Sequence, residues 1–265
     1  MFGSDSEDEL EHETRLASNG VMSFHNGTEE AMFLFIERNG SQGPQSVFDA
    51  VDEFCTKRHW MMHAGGPKRT ILGEVIRNLP AFTSQKSLHV LELGSYCGYS
   101  SAFFASLLLE REEDGHVVCV EPEAKCVNWT ERMHRLTELD NRTIVLPTAV
   151  SALDCSTVNE DFLARVQDTG KAPFHLLFID HDKSKYLTDL KLLREHNLLA
   201  PGCVIIADNT FSFNEPLEEY LDYVRTEAKS SRQYDTKVEY SEEQAKSDPK
   251  GEAYFQDALE VSHLP

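Results

Sequence analysis

Apolar positions along this chain fall into two rhythms. In "SVFDAVDEFC", Val47, Phe48, Val51, Phe54 and Cys55 recur at helical spacing and share one face. "AMFLFIER" begins that rhythm earlier, and "GGPKRTILGEVIRNL" continues it as a loop and an amphipathic helix stopped near Pro80. Beyond it, short β-branched runs alternate with helical patterns. The alternation predicts strands near 88–93, 116–121, 143–147, 174–179 and 203–207, with helices near 98–109, 123–137, 158–168 and 185–196. Such an order implies right-handed βαβ units and an α/β fold: a doubly wound, mostly parallel sheet with helices on both faces. A helix near 216–228 precedes two late strands, "DTKVEYS" and "EAYFQDALEV", which read as antiparallel additions to the sheet edge and bring the total to seven. The polar stretch "SEEQAKSDPKGE" loops between them.

Residues 1–28 lack either rhythm; they are acidic and polar, the composition of a disordered tail, and leave 29–265 as a single domain. The chain of 265 residues carries 25 Lys and Arg against 45 Asp and Glu, a formal charge of -20. A polyanion of this kind is repelled by phosphate backbones and anionic lipid, so neither nucleic acid nor a membrane is expected as partner. No apolar run reaches the length of a membrane span. The six cysteines form no C-x-x-C pair, and Cys97, Cys119 and Cys203 lie in apolar runs, which suits a reducing compartment. The N-terminus lacks the basic-then-apolar signature of a secretory signal. A cytoplasmic, monomeric protein is the expectation.

Candidate chemistry begins at "LHVLELGSYCGYSSAFFASLL": a buried strand, a glycine turn and a small-residue helix. A dinucleotide fold places a pyrophosphate at such a turn and wants no anion beside it. Here Glu92 closes the strand, and Gly94 and Gly98 are spaced G-x-x-x-G. A carboxylate there suits a cationic cofactor, and S-adenosylmethionine carries a sulfonium and an ammonium. Ser95, Ser100 and Ser101 are placed to hold its carboxylate at the helix N-terminus. The next strand, "HVVCVEP", ends in Glu121, the position of a ribose-hydroxyl acceptor.

Two further strands end in polar clusters: "HLLFIDHDKSKY" in Asp180, with Lys183 just beyond, and "GCVIIADNTF" in Asp208 and Asn209. Ligands bind beyond the carboxyl ends of parallel strands, so these groups converge on the same edge. Two carboxylates and an amide oxygen form a hard set suited to Mg²⁺. The bland alternative is that Asp180 caps a helix and Asp208-Asn209 makes a turn. A lysine beside a metal-held hydroxyl can act as general base; Lys183 fits that role, with Lys185 a competitor. His181 either leans on the adenine or caps the turn, and Tyr96 and Tyr99 either serve the cofactor or pack.

From about residue 31 onward the chain resembles the catechol O-methyltransferases, through "PQSVFDAVDEFCTKRHWMMHAGGPK", "VLELGSYCGYSS", "IDHDKSKY", "LLAPGCVIIADN" and "VEY". The resemblance implies a Rossmann-like class I methyltransferase fold, S-adenosylmethionine and Mg²⁺ as cofactors, and a small catechol-type substrate methylated on one hydroxyl. It implies Asp180, Asp208 and Asn209 as metal ligands, Lys183 as base and Glu239 as the acid holding the second hydroxyl. Glu92, Gly94, Tyr96, Ser100, Glu121 and Pro122 fall at cofactor positions, Ala64 and Gly65 on the loop along the methionine end, and Ser151, Asp180 and His181 near the adenosine. Met62 lies where the family has a methionine close to the transferred methyl, and Trp60 matches an aromatic wall of the substrate pocket, which Lys183 and Asn209 also border.

Three departures fall on that pocket and its neighbour: Asp182 stands where mammalian members carry a tryptophan, Phe213 near the position of their gate proline, and Pro122 where they have a methionine. A rebuilt wall admits a non-catechol vicinal diol as substrate. The rival from another class is an inactive methyltransferase fold kept as a binding platform. It would be marked by a lost metal ligand or lysine, and none is lost.

Overall fold

The structure, a computed structural model, describes residues 27–39, 43–79, 82, 87–110, 114–152, 157–211, 217–239 and 254–265, without the side chains of 237–239 and 254–256. Helices α1 (Thr28–Arg38), α2 (Gly43–Lys57) and α3 (Pro67–Arg77) precede the sheet. Then β1 (Ser87–Leu93), α4 (Tyr99–Leu108), β2 (Asp114–Val120), α5 (Ala124–Leu136) and β3 (Thr143–Leu146) follow in turn. The second half runs α6 (Glu160–Thr169), β4 (Phe174–Ile179), α7 (Tyr186–Glu195), β5 (Leu199–Ala207), α8 (Glu218–Glu227), β6 (Ser230–Glu239) and β7 (Tyr254–His263). Local chemistry sets several ends. Pro67 opens α3, Asn159 caps α6 by accepting from the Asp161 amide at 3.0 Å, and Gly170 closes that helix in a left-handed conformation.

The sheet order is β3-β2-β1-β4-β5-β7-β6. The first five strands are parallel; β7 pairs antiparallel with β5, and β6 antiparallel with β7. The expected doubly wound sheet with antiparallel late strands is thus what forms. Some bounds differ: β5 starts at Leu199 rather than 203, and β6 at Ser230 rather than Asp235. Polar residues such as Arg232 and Gln233 obscured the early part of β6, because an edge strand exposes much of its length to water.

The pleat sorts side chains between two cores. Val90, Val117, Cys119, Phe178 and Ile206 meet α1 to α5, while Leu91, Val118, Leu177, Ile179 and Ile205 meet α6, α7 and α8. Phe104 of α4 lies edge-on to Phe178 at 5.1 Å, and both are fully buried, each worth about 1.5–3 kcal/mol of apolar burial. Strand order reverses between β1 and β4, so the crevice beyond their carboxyl ends is the topological switch point.

Candidate active site

Backbone hydrogen bonds hold the strand tips level. Gly94 N–H donates to Val120 (2.9 Å), Asp180 to Leu93 (2.9 Å), Asp208 to Ile179 (3.0 Å) and Glu121 to Leu146 (3.1 Å). Glu121, Gly94, Asp180 and Asp208 therefore stand side by side along one edge, above which lies a cavity of about 520 Å³. Glu121, Pro122, Gly94, Tyr96 and Ser100 line one half, and Asp180, Lys183, Asp208 and Asn209 the other.

The glycine turn is a tight fit. Gly94 has φ +87°, and a Cβ there would lie 2.5 Å from the Asp180 carbonyl oxygen; at Gly98 (φ +78°) it would lie 2.8 Å from Thr130 Cα. Tyr96 adopts φ +48° without being glycine. The Glu121 carboxylate holds it there, accepting from the Ser95 and Tyr96 amides at 3.2 and 3.1 Å and from the Glu123 amide at 3.0 Å. The Tyr96 hydroxyl reaches Glu29 of α1 at 2.8 Å, and that of Tyr99 reaches Asp52 of α2 at 2.8 Å.

Gly65, Glu92 and Ser151 are not among the lining residues. Glu92 follows the pleat onto the α4 face, where Cys119 is its registered neighbour on β2. Its carboxyl is fully buried with neither oxygen hydrogen-bonded in good geometry. Burial pushes it up to about 8, while Ser100, Cys119 and Ser101 pull the other way. Glu92 is therefore an expected cofactor contact that the structure does not bring onto the cavity wall. Ser151 is buried in a bridge with Val158. Gly65 packs where a Cβ would fall 2.2 Å from His63 Nε2.

Ion pairs build the other half. Lys183 Nζ donates to Asp180 Oδ1 (3.1 Å), Asn209 Oδ1 (2.9 Å), the Tyr186 hydroxyl (2.8 Å) and the His181 carbonyl (3.4 Å). Lys68, buried at the start of α3, places its Nζ 2.6 Å from Asp208 Oδ1 and 2.7 Å from Asp257 Oδ2. Asp257 Oδ2 also accepts from Asn209 Nδ2 at 2.8 Å, which turns the amide oxygen toward Lys183. Burial raises the Asp180 carboxyl well above the ordinary range, against the pull of Lys183. Lys68, Asp257 and Tyr186 are contacts that reading the sequence missed. A lysine on an amphipathic helix reads as a solvated charge, and no local pattern marks its partner 140 residues away. An acid inside an apolar late strand was the one available signal for Asp257.

The remaining candidates divide. His181 stacks on Tyr186 (5.3 Å, 9° between planes), bonds Asp189 at 2.8 Å and lines the cavity, as do Trp60, Met62 and Ala64. Asp182 stands exposed at the cavity rim and caps the turn Lys183–Lys185, accepting from Ser184 N at 3.0 Å and Ser184 Oγ at 2.7 Å. Lys185 is not a lining residue. Glu239 ends β6 opposite Tyr254; its side chain, like Phe213, lies outside the described residues.

Among the described residues no group of three or more His, Cys, Asp or Glu side chains could hold a metal ion. The expected set is two carboxylates and an amide. Asp180 Oδ1 and Asn209 Oδ1 both lie within 3.1 Å of one cationic nitrogen, so they already converge on a positive charge, as ligands of a hard cation must. Asp208 is shared with Lys68. The donor chemistry of Asp180 and Asn209 suits Mg²⁺, while both oxygens of Asp208, the third expected ligand, lie against Lys68 Nζ at 2.6 and 2.8 Å.

Residues 91–210 match a family described as a methyltransferase domain. The chain is 32% identical over 201 residues to catechol O-methyltransferase B of Danio rerio, covering 75% of this chain and 67% of that one. It is 32% identical over 202 residues to the Mus musculus catechol O-methyltransferase, covering 75% and 69%. The human transmembrane O-methyltransferase is 26% identical over 200 residues, covering 75% and 62%; in this chain no described helix is long and apolar enough to cross a membrane. Among solved structures, the Bacillus cereus O-methyltransferase in complex with SAH shares the fold, with a TM-score of 0.53 and 19% identity over 97% of this chain and 100% of that one.

Proposed function

Because this chain belongs to the catechol O-methyltransferase family, S-adenosylmethionine-dependent enzymes, we propose that it methylates one of two neighbouring hydroxyls on a small catechol-type molecule, with Mg²⁺ at Asp180, Asp208 and Asn209. The observation that carries this reading is the meeting of Lys183 Nζ, Asp180 Oδ1 and Asn209 Oδ1 within 3.1 Å, on the cavity that also holds Glu121 and the glycine turn.

Magnesium, when bound, supplies orientation and acidification of the paired hydroxyls. Every other part of the chemistry is assigned to the chain. Lys183, in its neutral amine form, takes the proton of the reacting hydroxyl at Nζ and becomes the ammonium that the Tyr186 hydroxyl, 2.8 Å away, and Asp180 hold in place. Glu121 and the turn it secures hold the ribose end of the methyl donor. Glu239 accepts from the hydroxyl that is not methylated. Trp60 and Met62 form the apolar wall that keeps the two reactants aligned.

Incubation of the protein with S-adenosylmethionine and a simple catechol should yield the monomethyl ether with Mg²⁺ and none with excess chelator. Full activity in chelator would refute the metal role. Absence of donor binding by calorimetry, or tight NADH binding, would refute the reading as a whole.

A further inference from the structure

His63 sits in residues 59–66 of the connection between α2 and α3 and lines the cavity together with its neighbours Met62 and Ala64. Both ring nitrogens face acceptors: Nδ1 lies 3.1 Å from the Met61 carbonyl oxygen and Nε2 3.1 Å from Asp52 Oδ1. A ring with an acceptor at each nitrogen donates from both, which is the imidazolium form. Burial opposes that charge, but the Cys55 sulfur and the Asp52 carboxylate outweigh it and lift the ring to about 10.

Asp52 is a hub. It takes the Tyr99 hydroxyl at 2.8 Å from the first residue of α4, and Arg69 Nη2 at 3.2 Å from the first turn of α3. The His63 ring stands edge-on to Tyr99 at 5.1 Å and 88°. Gly65 gives independent evidence that segment and ion pair were built together. A Cβ there would fall 2.2 Å from His63 Nε2 and 2.3 Å from Asp52 Oδ1, although its backbone is not in the left-handed region.

We infer that His63, acting through Asp52, is a positioning residue that latches segment 59–66 against the cavity and sets affinity for the methyl donor. Met62 and Ala64 flank it, so a displaced His63 moves the wall on both sides of itself. Asp52 keeps Arg69 and Tyr99 when the ring is removed, so the fold retains a neutralised carboxylate. The inference rests on the cavity being the S-adenosylmethionine site.

The test is calorimetric titration of the full chain with S-adenosylmethionine, alongside steady-state kinetics, for His63→Ala and Gly65→Ala. Both should raise the Kd for the donor about tenfold, roughly 1.4 kcal/mol, while kcat at saturating donor and the KM for the acceptor stay within about twofold, by the separation of binding from chemistry. His63→Asn, which keeps one donor for Asp52, should recover part of the affinity and serves if the alanine variant does not fold. Wild-type Kd in the Gly65→Ala and His63 variants would overturn the latch, as would equal losses in donor affinity, kcat and acceptor KM. A wild-type protein that does not bind the donor would overturn the functional reading instead.

Discussion

The two halves of the active edge hold their charges by different means. At the tips of β1 and β2, Glu121 is held by three backbone amides, from residues 95, 96 and 123. At the tips of β4 and β5, Asp180, Asp208 and Asn209 are held mainly by side chains, Lys183, Lys68 and Asp257, with a single backbone amide, that of Asn209, on Asp208 at 2.7 Å. Amides are neutral dipoles supplied by the turn itself, and no substitution outside the turn removes them. Ammonium groups balance a full charge, and one truncation deletes them. The half proposed for the cofactor is therefore built for tolerance and the half proposed for catalysis for charge, which makes the second the more fragile.

The sharpest way to break that contrast is at the proposed base. Lys183→Met should lower kcat by roughly 10²–10⁴ and leave donor affinity nearly unchanged. If Lys185→Met does this and Lys183→Met does not, the base is misassigned. Next in size is Lys68→Met, which strands Asp208 and Asp257 in the interior without their shared ammonium. Urea denaturation should show a loss of about 3–5 kcal/mol, partly recovered by adding Asp257→Asn; a double-variant loss equal to the sum of the two single losses would mean the two residues are not coupled.

In the cofactor half the effects should be smaller. Glu121→Ala should weaken S-adenosylmethionine binding by about 1.5–3 kcal/mol, as for a charged acceptor, and unchanged affinity would sink its assignment. Beneath the same turn, His134 Nε2 lies 2.8 Å from Ser101 Oγ; burial, then the charge of Arg135, drive the ring down from 6.5 to about 3. The unfolded chain binds that proton first as pH falls. The stability His134 lends is thus complete above 6.5 and drains away as pH falls toward 3. Thermal melts of wild type and His134→Gln should converge with acid, and parallel curves would exclude the histidine.

The smallest effect should come from the rim, where Asp182 is exposed and its carboxyl is held below the usual range by Ser184. Asp182→Trp should shift the kcat/KM preference for an ammonium-bearing catechol over a carboxylated one by roughly 1–2 kcal/mol at low salt, less at high. An unmoved ratio would leave Asp182 as a turn cap alone.

Much of this edge could be read residue by residue before any coordinates. Gly94, Glu121, Asp180, Asp208 and Asn209 were legible because a parallel strand that ends in a polar residue announces both its direction and its tip. The apolar rhythms carried the sheet and its helices for the same reason: period is a local property. Glu92 marks the limit. Its place at the strand end was evident, but which face the pleat would turn it to depended on α4 closing over it. Lys68 and the His63–Asp52 pair went unread because each is ordinary in its own neighbourhood, a charge on a helix or a ring in a loop; Asp257 stood out only as an acid inside an apolar strand, with nothing local to name its partner. Their meaning comes from partners that only the packing of α2, α3 and β7 around the parallel strands brings within 3.1 Å. The sequence by itself determined which groups stand at the strand tips; tertiary structure decided which charges face them, because burial without a partner is costly enough that packing must supply one.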